Sequence, residues 1–190
     1  MRTQLRNLTL SFVAVAALAA LSTGCSTPPA PEAAVVELKD GDIAVPADYK
    51  SWPKFLSAVQ RPDVKQVREL YMNPVAKGAT PAAGFPNGTV FVMELWGAQT
   101  GTDGTLLTGA DGKLVKGNLL KVFVMSKNQG WAENYEPAAM RNGNWIYSAW
   151  LPDGKAAPDN PLACRACHAP LTSSKDFVHR YDEHFGQRGG

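Results

Sequence analysis

Two thiols and an imidazole stand within five positions near the C-terminus, as Cys164, Cys167 and His168 in the stretch PLACRACHAP (161–170). Three chemistries use such a grouping. Two cysteines separated by two residues can form thioethers with the vinyl groups along one edge of a porphyrin. A histidine directly after the second cysteine then reaches the iron as proximal ligand. Alternatively, Cys164 and Cys167 join His179 and His184 in a two-Cys, two-His zinc site. The third possibility is a redox dithiol. The zinc spacing is imperfect, because eleven residues, Pro170 among them, separate Cys167 from His179, and His168 would have no part. No βαβ pattern surrounds the cysteines to favour a dithiol. His179 and His184 are otherwise expected at the surface, near the chain end.

The other end of the chain bears on the choice. Arg2 and Arg6 precede an apolar run, 8–21, that closes on LSTGC. A basic start, a short apolar segment and a small-residue cleavage site make an export signal, and the run is shorter than the about 20 residues of a membrane span. Ending on Cys25, it looks like a bacterial lipoprotein signal, although Ser22 stands where leucine is usual and Leu21 lies one position further out. Cys25 is then the lipidated N-terminus, and Ser26 suits delivery to the outer membrane. The chain is expected to be exported and periplasmic, touching the membrane through the lipid alone. Since c-type haem is attached outside the cytoplasm, export favours the haem reading. With Cys25 lipidated, Cys164 and Cys167 are the remaining cysteines, which excludes a long-range disulfide framework. Removing Arg2 and Arg6 with the signal takes 19 basic residues to 17, against 17 acidic ones. A neutral chain without basic runs has no electrostatic footprint for nucleic acid.

Around the cysteine cluster the elements needed to position it are mostly strands. Residues 1–24 are the signal, 25–40 a Pro/Ala-rich tether, and 41–190 a single domain. KQVRELYMN (65–73) alternates, with Val67, Glu69 and Tyr71 on one face and Arg68, Leu70 and Met72 on the other. GTVFVMELWG (88–97) follows a Pro86-Asn87-Gly88 turn signal and places Phe91, Met93 and Leu95 together. NLLKVFVMS (118–126) and NWIYSAWLP (144–152) are further strands. The Gly- and Asp-rich run between the second and third marks a long hairpin or mobile loop. DYKSWPKFLSAV (48–59) is a possible helix, limited by Pro53. The fold class is α+β, predominantly an antiparallel sheet with a few short helices and a C-terminal haem-attachment motif.

In their order, VPADYKSW, VRELYMNP, PNGTVFVMEL, GNWIYSAWLPDG, CRACH and DFVHRY resemble the cytochrome P-460 and cytochrome c′-β family, from about Val45 to Tyr181. The resemblance implies a β-sheet domain, usually a homodimer, with one covalently attached haem c and His168 as proximal ligand. Hydroxylamine-oxidising members carry a haem-cross-linked lysine where this chain has Met93, and a distal carboxylate where it has Phe123. Arg68 keeps the arginine of the VRELYMNP segment. The resemblance therefore implies a more apolar distal side at Met93 and Phe123, binding a small ligand such as NO. Phe91 shares a strand face with Met93 and joins Phe123 as a candidate cap, the alternative for both being ordinary sheet core, and for Met93 plain core filling. Arg68 is a distal or propionate partner, or else an exposed strand residue in a salt bridge. Two rival functions follow. One is a periplasmic electron carrier in which Met93 is the sixth iron ligand. The other is an oxidoreductase for hydroxylamine-like nitrogen compounds, weakened by the loss of lysine and carboxylate. Lys121 shares a face with Phe123 and is not taken as a substitute cross-linker.

Overall fold

The computed structural model describes residues 37–188; the export signal, Cys25 and most of the tether lie outside them. Five strands, β1 (Lys54–Arg61), β2 (Gln66–Met72), β3 (Val90–Ala98), β4 (Lys116–Lys127) and β5 (Trp145–Trp150), form one antiparallel sheet in chain order. Two short helices follow, α1 (Pro161–His168) and α2 (Tyr181–Arg188). Among the described residues no helix is long and apolar enough to cross a membrane.

Of the possible helix over 48–59, limited by Pro53, a single turn forms. A 3₁₀ turn at Tyr49–Ser51 ends at Trp52, which is extended (φ −74°, ψ 154°) ahead of Pro53. A residue before proline is pushed out of the helical region, so the chain enters β1 instead. Ala58, at φ 50°, makes a bulge, and the β1–β2 register shifts between Leu56 and Val59. The Gly/Asp-rich run folds as two successive turns of the same build. Gly101 N donates to Thr105 O and Gly109 N to Lys113 O, while Leu107 N and Val115 N tie the turns together through Gln99 O and Leu107 O.

Alternation sorts the sheet into two faces. On the first, Met72, Phe91, Met125 and Tyr147 stand opposite one another across β2–β5. They close a core with Phe55, Phe85, Trp145, Val178 and Tyr181. The second face buries Tyr71, Val92, Val122 and Val124 beneath Tyr49, Ile43, Val45 and Trp52. The segment 40–43 runs beside β5: Gly41 N donates to Tyr147 O (2.8 Å), and Ile43 O accepts from Ser148 Oγ (2.6 Å) and Trp150 Nε1 (3.0 Å). It covers an edge that would otherwise offer free backbone groups.

Glu69 and Glu94 face each other across β2 and β3 on the second face, both buried. Like charges so placed repel unless compensated. Glu94 accepts from Tyr49 Oη (2.7 Å), Tyr71 Oη (3.3 Å) and Trp96 Nε1 (3.1 Å). Glu69 is held by Lys116 Nζ (3.0 Å), Ser57 Oγ (2.8 Å) and Lys54 Nζ (3.1 Å). Burial alone would raise the Glu69 pKa, but these three partners overcome it and hold the group at about 2. A folded-state pKa below the unfolded one stabilises the fold above about pH 4.5, and this stability is lost as pH falls through about 2. With both lysines partly exposed, the contribution is on the order of 2 kcal/mol. Glu69→Gln is expected to flatten the dependence of unfolding free energy on pH between about 4.5 and 2, measured by urea titration.

Candidate functional site

Helix α1 opens on Asn160, whose Oδ1 caps Leu162 N at 2.9 Å, with Pro161 in the first turn. Cys164, Cys167 and His168 stand at i, i+3 and i+4 and so share one face. Both thiols are unbridged; Cys164 packs against the first-face core, and Cys167 is exposed. Burial pushes the Cys164 thiol pKa up, reinforced by the charges of Asp40 and Asp159. Cys167 Sγ lies 3.3 Å from His179 Nε2.

The side chain of His168 is fixed by backbone. Its Nδ1 lies 2.6 Å from Phe177 O. A carbonyl can only accept, so Nδ1 carries the proton and Nε2 keeps its lone pair. Burial pushes the His168 pKa down to about 4, against the opposing influence of that hydrogen bond, so the ring is neutral at pH 7. It packs beside the rings of Tyr147 (5.1 Å) and His179 (4.8 Å).

Presenting Phe177 O requires unusual backbone. Asp176 (φ 46°) and Phe177 (φ 55°) are both left-handed, which costs roughly 1–2 kcal/mol for an ordinary L-residue. The Asp176 carboxylate holds this turn. It accepts from Lys127 Nζ (2.9 Å to each oxygen), Phe85 N (2.8 Å) and Trp145 Nε1 (3.3 Å), while Trp145 Nε1 also bonds Asp176 O (2.9 Å). Gly84 makes room for it: a Cβ there would sit 2.8 Å from Asp176 Oδ2.

On the first face, beside the closed core, Leu70, Met93, Phe123 and Ala149 form one row in register, all half-buried. Arg68, Leu95 and Lys121 form the next. The structure thus brings Met93 and Phe123 directly opposite each other on a half-covered apolar shelf, with Arg68 at its margin. Phe91 belongs to the closed row, 5 % exposed, enclosed by Phe55, Phe85 and Trp145. Cys164 packs against the first-face core and His168 lies beside Tyr147 of the same face, so α1 and the shelf are on the same side of the sheet. The buried Nε of Arg68 has no hydrogen-bond partner, and burial, then the charge of Arg61, lowers its pKa. Lys121 Nζ is held by both oxygens of Asp159 at 2.7 Å.

One expectation is corrected: His184 is not at the surface. It is 3 % exposed, stacked on Phe55 at 4.3 Å, with Nδ1 3.3 Å from Phe55 O. The apolar spacing of α2, which turns Tyr181, His184 and Phe185 inward, was the available signal. Among the described residues no group of three or more His, Cys, Asp or Glu side chains is arranged to hold a metal ion. Three site residues lie within CRACH and DFVHRY, yet their roles are not readable from those stretches. Phe177 acts through its carbonyl, Asp176 through a partner 49 positions away, and Arg165, fully buried beside the cysteines, through Asp40. Asp40 lies in the stretch assigned to the tether, and here it is bonded into the domain.

No curated protein matches the chain. The family model of cytochrome P460 matches residues 46–180, which takes in the sheet, α1 and the His168–Phe177 contact. This chain belongs to the cytochrome P460 family and is a haem protein.

Proposed function

We propose that the protein is an exported mono-haem c-type cytochrome that binds a small ligand such as nitric oxide. Cys164 and Cys167 hold the haem through thioethers and His168 Nε2 binds the iron. The ligand side is the shelf of Met93 and Phe123, with Phe91 behind it and Arg68 at the margin. The observation that carries this reading is the state of His168. Its one proton is committed to Phe177 O, its pKa is depressed by burial, and the second nitrogen is left as a lone-pair donor on the helical face that also carries two unbridged thiols. Beside that face lie a half-covered apolar shelf and a buried arginine nitrogen without a partner. A flat, largely apolar macrocycle with anionic edge groups suits both features.

Bound haem supplies an iron coordination position and a one-electron couple. The chain's own residues decide what can use them. Leu70, Met93 and Phe123 offer no proton acceptor, so an amine bound there would find no base to take its protons. A diatomic ligand needs none. Arg68 supplies a hydrogen-bond donor at the shelf margin. Arg2, Arg6 and the LSTGC sequence support export, and Cys25 supports a lipid anchor.

Absorption spectra of the purified protein test this reading. A ferrous spectrum typical of five-coordinate haem that takes up CO readily is expected, and it should persist in Met93→Ala. A low-spin spectrum indifferent to CO, lost in Met93→Ala, would replace ligand binding by electron transfer with His168/Met93 coordination. A strongly red-shifted ferrous Soret band would signal a macrocycle cross-link and restore the hydroxylamine reaction.

A further inference from the structure

We propose that Arg165 and Asp40 form a positioning clamp that sets the rotation of α1 about its own axis, and with it the aim of Cys164, Cys167 and His168. The inference rests on the reading above that this face carries the haem. An eight-residue helix does not persist in water, so tertiary contacts must hold its shape. Among α1 residues the one buried is Arg165, 0 % exposed, one position after Cys164 and three before His168, so it flanks the ligating face. A helix whose anchor is apolar can roll by a few degrees at little cost. A planar guanidinium gripped in two directions cannot.

The grip is extensive. Arg165 Nε donates to Asp40 Oδ2 (2.6 Å) and Nη2 to Asp40 Oδ1 (2.9 Å), a bidentate pair. Nη2 also reaches Trp145 O (3.2 Å) and Nη1 reaches Met140 O (3.4 Å). The guanidinium lies over the ring of Tyr135 at 3.8 Å. Arg165 O accepts from Asn142 Nδ2 (3.1 Å), which also reaches Tyr147 Oη at 3.1 Å. Tyr147 N donates to Asp40 Oδ1 (3.0 Å), and the Tyr147 ring lies against His168. The clamp and the imidazole therefore share one intermediary.

A buried ion pair is a poor source of stability compared with apolar side chains of similar volume. That separates positioning from folding experimentally. The full chain is expressed in a host that attaches haem, as wild type, Arg165→Lys, Asp40→Asn, Arg165→Met and the double variant Arg165→Met/Asp40→Leu. Thermal midpoint, intact mass and the ferric electron paramagnetic resonance spectrum are recorded for each. Asp40→Asn and Arg165→Met are expected to lower the thermal midpoint, since each leaves a buried group unpaired. The double variant should regain it. A single ferric signal is expected for the wild type, and in all four variants it should split or broaden, because His168 samples more than one orientation. Arg165→Lys, which keeps the charge but not the fork, should broaden it too, and it decides the matter if the methionine variants do not fold. Wild-type spectra in the double variant or in Arg165→Lys would overturn the clamp and leave the haem reading standing. A wild-type chain without haem would overturn the haem reading itself, and the clamp with it.

Discussion

Replacing both Cys164 and Cys167 by serine is expected to abolish covalently held haem. The double variant should lack the mass of the one haem that the wild type carries, and any colour should be extracted by acidified organic solvent. Each single variant should keep its haem through the remaining thioether, with a shifted spectrum. The expectation follows from α1. The two thiols are unbridged and share a face with His168, so no disulfide competes for them. A serine hydroxyl is smaller than the thiol but similar in shape, and it does not add to a vinyl group. His168 would remain as an iron ligand, because its orientation comes from Phe177 O and not from the sulfurs. Haem retained against acid solvent by the double variant would show that the cysteines are not the attachment points.

Asp176→Ala is expected to cost about 3–5 kcal/mol of folding stability, the range for removing one partner of a buried pair. Lys127 and Asp176 are 16 % and 13 % exposed, and the substitution leaves Lys127 Nζ with only Phe85 O. It also strips an acceptor from Phe85 N and releases the left-handed turn that carries Phe177 O. Asp176→Asn keeps an acceptor for Phe85 N and should cost less. Urea denaturation with an unchanged slope would measure both. Because the same turn fixes the His168 proton on Nδ1, Asp176→Ala should also perturb the haem spectrum, whereas a core truncation of equal cost elsewhere should not. Equal stability of wild type and Asp176→Ala would remove the turn from the site.

Much of this geometry was legible from residue order. The alternation in 65–73 and 88–97 placed Arg68 with Leu70 and Phe91 with Met93, and the sheet keeps those faces because a strand's period of two leaves no other choice once one side is buried. The row Met93–Phe123 follows from the same pattern on two strands plus their pairing. What stayed hidden depends on long-range partners. β1 carries a proline entry and an Ala58 bulge instead of a clean strand pattern. His184 is buried because Phe55, 129 positions earlier, offers a ring to stack on. Arg165 is one of the two residues between the cysteines, and the folded chain brings Asp40, 125 positions away, onto it. Phe177 contributes a backbone carbonyl, for which side-chain identity carries no signal.

The most direct measurement is the intact mass of the wild-type mature protein, purified under denaturing conditions from a host able to attach haem, together with its visible spectrum. Expected is a coloured polypeptide heavier by one haem than the processed, lipid-bearing chain. A colourless polypeptide without that added mass would contradict attachment at Cys164 and Cys167 and ligation by His168.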